Sequence, residues 1–288
     1  MKLGFNEAND RFCKGHTVMQ DLELCEKYGF DGIDIQSLCL NRDLEAGLIT
    51  LEEVGEYFKT HNLKMISYNA LEFFNMKPTP EAKQATMDLF KEIVRRCTIL
   101  GCDTIVIVPS MNIEKGATIE EIRDEAVEVI KEFLEVCEPY GIRLSLEFCG
   151  APAMSINRFE DAYAIVEKVN HPLVGLTLDE YHFHGMASSW DALEKADGKK
   201  IFIWHLNGTE NVPCGAAYNT DEKRLWPDDP KDCLDHKRLA DTLKKIGFEG
   251  EYCTIEIFRP EYYEMTQEDN VKKSAEVTKA HVAKYWGE

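Results

Sequence analysis

Glu147, Asp179, His205 and Glu256 each close a short apolar run: Leu144-Ser145-Leu146-Glu147, Leu176-Thr177-Leu178-Asp179, Phe202-Ile203-Trp204-His205 and Thr254-Ile255-Glu256. An apolar run that ends in one ionisable residue reads as a buried strand delivering a ligand to a shared rim. Three carboxylates and one imidazole meeting there make a site for one divalent metal ion. The predominance of oxygen donors favours Mn²⁺, with Mg²⁺, Co²⁺ or Zn²⁺ also accommodated. The competing reading is four unrelated rim salt bridges. It leaves three strand-end carboxylates each needing its own partner, whereas a single ion serves all three.

Other polar residues stand close by in the chain. His182 and His184 follow Asp179 in Asp179-Glu180-Tyr181-His182-Phe183-His184. They are either loop histidines bonded to backbone, or one of them touches substrate hydroxyls or steadies a ligand from behind. Asn6 and Asn69 end the first and third apolar runs and suit hydrogen bonds to a polyol, or to the backbone alone. Phe73, Phe74 and Trp226 suit either the wall of a sugar site or ordinary packing.

The elements that must position these residues repeat as amphipathic helix, glycine, apolar strand. Asp21 to Tyr28 meets Gly29, the helix through Leu100 meets Gly101, Val127 to Tyr140 meets Gly141, and Leu239 to Ile246 meets Gly247. Each glycine suits the left-handed position that closes a helix. Strands are expected near Leu3, Ile33, Met65, Ile105, Leu146, Leu176, Ile203 and Ile255. Helices are expected over Pro80 to Leu100, Ile119 to Tyr140 and Gln267 to Tyr285. Eight such units predict an α/β chain folded as a single (β/α)₈ TIM barrel over residues 1–288. No glycine-rich phosphate fingerprint follows the first strand, which argues against a dinucleotide-binding sheet. The longest irregular stretch, Asn207 to Asp235, falls between the seventh and eighth strands, where a barrel places a loop over its catalytic face.

Composition narrows the partners. The chain carries 33 basic and 52 acidic residues, a net charge of −19, which disfavours nucleic acid and anionic membrane surfaces. The start, Met1-Lys2-Leu3-Gly4-Phe5-Asn6, does not read as a signal peptide, and no apolar stretch is long enough to span a bilayer. Ten scattered cysteines without a C-x-x-C pair read as free thiols in a reducing compartment, so a cytoplasmic location is expected. A small-molecule substrate and a homo-oligomeric state are compatible with all of this.

Longer segments carry a resemblance. They are Gly4-Phe5-Asn6-Glu7-Ala8, Asn69-Ala70-Leu71-Glu72-Phe73-Phe74-Asn75, Leu146-Glu147-Phe148, Leu178-Asp179-Glu180-Tyr181-His182-Phe183-His184, Gly198-Lys199-Lys200-Ile201-Phe202-Ile203-Trp204-His205 and Ile257-Phe258-Arg259-Pro260-Glu261-Tyr262-Tyr263. Through them the chain resembles, nearly end to end, the inosose (2-keto-myo-inositol) isomerases of the xylose-isomerase-like barrel superfamily. The resemblance implies that Glu147, Asp179, His205 and Glu256 bind the ion and that Glu147 and Glu256 also move protons. It further implies that His182 and Arg224 contact substrate. Two departures stand out: Leu206-Asn207-Gly208 replaces the acidic residues common after the seventh-strand histidine, and Asp228-Asp229-Pro230 replaces a Gly-x-Gly turn.

The chemistry expected is a carbonyl shift in a keto-polyol or sugar through an enediolate, with Lewis-acid stabilisation and carboxylate proton transfer. Ketose 3-epimerisation uses the same parts. So does a lyase or dehydratase acting on a keto-sugar or oxidised glycoside, which eliminates a leaving group after the same start. A DNA-repair endonuclease of this barrel type needs more metal ligands and a basic groove, and non-catalytic sugar binding gives no reason for an open metal site.

Overall fold

The computed structural model describes residues 1–113, 116–217 and 220–287. Eight parallel strands close on themselves: β1 (Lys2–Asn6), β2 (Gly32–Gln36), β3 (Lys64–Leu71), β4 (Thr104–Ile107), β5 (Arg143–Glu147), β6 (Val174–Asp179), β7 (Ile201–Leu206) and β10 (Tyr252–Ile255). β10 pairs with both β7 and β1, which completes the ring. All eight expected strands are present. Their interiors are buried almost without exception, as a parallel sheet covered on both faces requires.

Helices wrap the outside, among them α1 (Val18–Tyr28), α2 (Ser37–Glu45), α3 (Leu51–Thr60), α4 (Pro80–Leu100), α5 (Ile119–Cys137), α6 (Phe159–Val169), α9 (His236–Lys245) and α10 (Gln267–Trp286). Sequence chemistry sets their ends. Thr50 with Glu53 and Thr118 with Glu121 form reciprocal capping boxes at the starts of α3 and α5. Gly29, Gly101, Gly141 and Gly247 all have φ between +67° and +80°, the left-handed geometry expected of them. α9 starts at His236, three residues before the expected helix, because Asp235 caps it by accepting from Arg238 N–H.

Two short helices, α7 (Glu180–Gly185) and α8 (Trp190–Leu193), follow β6. The expected irregular stretch after β7 is more ordered than its composition suggests. β8 (Gly208–Thr209) pairs antiparallel with β9 (Arg224–Leu225), folding the connection back over the barrel rim. Among the described residues no helix is long and apolar enough to cross a membrane.

Candidate metal centre and catalytic cavity

The rim brings the four strand-end residues together. Glu147 ends β5, Asp179 ends β6, His205 is the penultimate residue of β7, and Glu256 directly follows β10. All four are buried, and one ligand atom from each lies within 4.8 Å of the others. Strand register produces this convergence, since His205 is the Cα partner of Asp179 on one side and of Thr254 on the other. His205 Nδ1 stands 3.0 Å from Glu147 Oε1 and 3.3 Å from Glu256 Oε2. With metal–ligand bonds of about 2.0–2.2 Å, adjacent donors around one ion lie about 3.0–3.5 Å apart. The separations and the donor chemistry fit a divalent ion.

Asp34, which the sequence reading passed over, holds the other side of His205. Its Oδ2 lies 3.3 Å from His205 Nε2, and Ser67 Oγ donates to its Oδ1. A carboxylate at Nε2 keeps a proton there and turns Nδ1 toward the glutamates, so Nδ1 is the nitrogen that would give up its proton to an ion. The available signal was an acid inside the apolar strand Gly32-Ile33-Asp34-Ile35-Gln36, fully buried in the fold.

Arg224 enters from β9 and is also fully buried. Its Nη1 donates to Asp179 Oδ2 at 2.6 Å and to Glu256 Oε2 at 3.1 Å. Its Nη2 donates to Asp221 Oδ1 at 3.0 Å and to His182 Nε2 at 3.2 Å. The guanidinium lies over the rings of Tyr181 and Phe258, 4.8 and 4.9 Å from their centroids. Arg224 therefore sits behind the cavity wall as the counter-charge of two ligand carboxylates. Asn6 and Asn69 both donate to Glu256 Oε1, at 2.9 and 3.4 Å. Asn207, standing where the resemblance leads one to expect an acid, donates to Asp179 Oδ2 at 2.7 Å.

These neighbours set the two glutamates apart. Burial and the nearby Glu256 charge push Glu147 above the ordinary carboxylate range. At Glu256 burial works the same way but is outweighed by His205 and Arg224, which hold it well below that range. Burial disfavours charge on His205, yet Glu256 and Glu147 raise its pKa well above that of a free imidazole. Glu256 has both oxygens engaged, whereas Glu147 gives Oε1 to His205 and, among the described residues, its Oε2 has no hydrogen-bond partner.

A cavity of about 590 Å³ lies over this centre, lined by Glu147, Glu256, Asn69 and His182 together with Arg11, Gln36, Glu72, Asp221, Phe258 and Tyr263. Because Arg224 donates to His182 Nε2, the His182 proton sits on Nδ1, a buried atom with no hydrogen-bond partner among the described residues. His184 faces away from the centre and lines a separate cavity with Cys214 and Cys233. Asn6 lies beneath the cavity and is not part of its lining. Trp226 stacks on Tyr262 with centroids 4.5 Å apart, outside the lining. Phe74 is buried against Phe133, and Phe73 is half-buried outside the lining. Arg11 and Gln36 line the cavity without any signal in their own sequence neighbourhoods, whereas Tyr263 ends the Ile257–Tyr263 segment that carries the resemblance.

The profile of the xylose isomerase-like TIM barrel family matches residues 22–281. The chain belongs to that family. Two similar xylose isomerase-like relatives are the inosose isomerases of Bacillus velezensis and Bacillus subtilis (strain 168). They are 41% identical over 287 residues and 40% identical over 298, with 99% of each chain covered in both cases. The crystal structure of IolI protein with a binding zinc atom superimposes with a TM-score of 0.92 at 40% identity, covering 99% of both chains. A D-tagatose 3-epimerase-like protein shares the fold at a TM-score of 0.73 and 17% identity, covering 100% of this chain and 99% of that one.

Proposed function

We propose that this xylose isomerase-like protein is a divalent-metal-dependent isomerase that shifts the carbonyl of a cyclic polyol ketone such as 2-keto-myo-inositol. The observation that carries the proposal is the four-ligand centre of Glu147, Asp179, His205 and Glu256, with two of its glutamates forming the floor of a polar cavity. Inosose isomerases similar over the full length of the chain supply the substrate class. An ion held by those four residues supplies Lewis-acid stabilisation of the negative charge that builds on the enediolate.

The chain's own residues do the rest. Glu147 and Glu256 are the acid/base pair, and the unpartnered Oε2 makes Glu147 the more mobile carrier of the proton removed next to the carbonyl and returned to the neighbouring carbon. Asn6, Asn69 and Arg224 hold Glu256 in place. Asn69 and His182 are the polar side chains that line the cavity on the side of Glu256 and Arg224, and Phe258 and Tyr263 wall the ring. Trp226 acts at one remove, by supporting Tyr262. The oxygen-rich donor set favours Mn²⁺, although the solved relative holds zinc.

The test is to incubate protein reconstituted with Mn²⁺ or Zn²⁺ with 2-keto-myo-inositol in D₂O and to follow the products by NMR. A positional ketone carrying deuterium should form only with metal. Glu147→Gln and Glu256→Gln should each lower the rate by about 10²–10⁴-fold. An inert ketone, with one ion per chain confirmed, rejects the substrate.

A further inference from the structure

A second group of ligand-type side chains lies outside the barrel, between its wall and the last two helices. Glu180, His236 and His281 are the first residue of α7, the first residue of α9 and a residue in the last third of α10. All three are buried, and each offers one ligand atom within 4.8 Å of the others. None takes part in the centre described above.

Trp204, the neighbour of His205 on β7, points to the helix side and donates from Nε1 to Glu180 Oε1 at 2.8 Å. That bond fixes the carboxylate and leaves Oε2 against His236 Nδ1, at 2.7 Å. On the far side of the same ring, Asp232 Oδ2 stands 2.6 Å from Nε2. His236 thus repeats the arrangement of His205: one carboxylate holds the proton on Nε2, and Nδ1 faces the cluster.

His281 supplies an independent sign. Its side chain has no exposed surface and its ring meets that of His236 edge-on at 4.8 Å. Among the described residues neither of its nitrogens lies within hydrogen-bond distance of a partner, and Asp228 Oδ2 is 3.6 Å from Nδ1. A neutral imidazole carries one N–H and one lone pair, and a buried ring that uses neither is unusual unless something outside the protein uses them. Glu180 also lines a surface cavity of about 430 Å³ with Trp190, Cys214 and Cys233.

We propose that Glu180, His236 and His281 bind a second transition-metal ion, zinc by their donor set of two imidazoles and one carboxylate. The ion replaces the proton between His236 Nδ1 and Glu180 Oε2, which is released to solvent, and takes the lone pair of His281. It cross-links α7, α9 and α10 behind the catalytic rim.

Metal-free protein is saturated with Zn²⁺, passed through a desalting column and analysed for zinc per chain. Two zinc ions are expected in the wild type and one in His281→Leu. One is also expected in the double variant Glu147→Gln/His205→Gln, where X-ray absorption should show two imidazoles on the remaining ion. One ion per wild-type chain overturns the proposal, as does loss of all zinc from a folded double variant or two ions in His281→Leu. Should His281→Leu fail to fold, the absorption spectrum of the double variant decides: two imidazoles on the remaining ion support the site, and a single imidazole overturns it. The double variant lacks the catalytic centre, so this outcome is separate from that of the isomerase assay.

Discussion

A single imidazole shows how much of the candidate metal centre depends on residues outside its four-residue cluster. His205 can present Nδ1 to Glu147 and Glu256 only while Asp34 keeps its other nitrogen protonated and the ring in one orientation. Asp34→Asn preserves the size of that side chain but reverses the logic, because the amide can offer a donor where an acceptor is needed. Metal affinity is expected to fall about 10–100-fold, read by competition titration against a chelator, with the circular dichroism spectrum unchanged. Affinity equal to that of the wild type would show that Asp34 does not orient the ring. The convergence of these four residues was legible in the sequence because each ends an apolar run. Asp34 was not, because its role exists only once β2 lies across the barrel interior from β7.

Helices and loops determine whether His182 reaches the cavity. The turn after β5 runs against α7 at backbone contact: a Cβ built on Gly150 would lie 2.2 Å from His182 O, and one on Gly185 would lie 2.3 Å from Gly150 O. α7 also begins with His182 N–H donating to Asp179 Oδ1 at 2.7 Å, so displacing it disturbs a ligand and a cavity residue together. Gly150→Ala should therefore cost about 1–3 kcal/mol of stability by overpacking, measured by urea unfolding. It should also lower kcat/KM at least about tenfold through misplacement of His182. Unaltered kinetics would separate the close contact from the site. The helix-closing glycines could be read directly, since helix periodicity precedes each one. Gly150 could not, because the segments that meet there are about thirty residues apart in sequence. The connection after β7 was legible as a cover for the rim, but its hairpin was not, since two-residue strands leave no periodicity to detect. Arg224 was reached only through family resemblance.

Across the whole molecule, charge is arranged so that alkali threatens the fold. Burial opposes charge on His236, but Glu180 and Asp232 hold its pKa at about 10. At His16 burial is likewise overcome, by Asp21 and Asp10, and the pKa is held at about 11. Both folded values lie above the unfolded value of about 6.5. The stability these histidines contribute is therefore complete below about pH 6.5 and is lost as pH rises toward 10–11, at up to about 1.4 kcal/mol per pH unit for each. Metal-free protein unfolded in urea at pH 6.5, 8 and 9.5 should lose stability steadily, and His16→Gln should flatten part of the slope. Equal stability at the three values would contradict the assignment. Of the fold, the eight-stranded closure was legible in full, since strand and helix repeat along the chain. Asp10, His16 and Asp21 meet within one turn-and-helix segment, but nothing in their spacing announces a buried cluster.

Arg224 grows from the hairpin of the post-β7 connection and bonds two of the four ligands, Asp179 and Glu256. The connection in which this chain departs from the pattern of the family it resembles is thereby fastened to two carboxylates of the candidate metal centre. Grafting the 208–225 hairpin from another barrel of this family would not be a modular exchange of selectivity. It would replace the counter-ion of two carboxylates, and metal affinity would change along with substrate preference. A transplanted hairpin keeps both properties only if it carries an arginine at the same register.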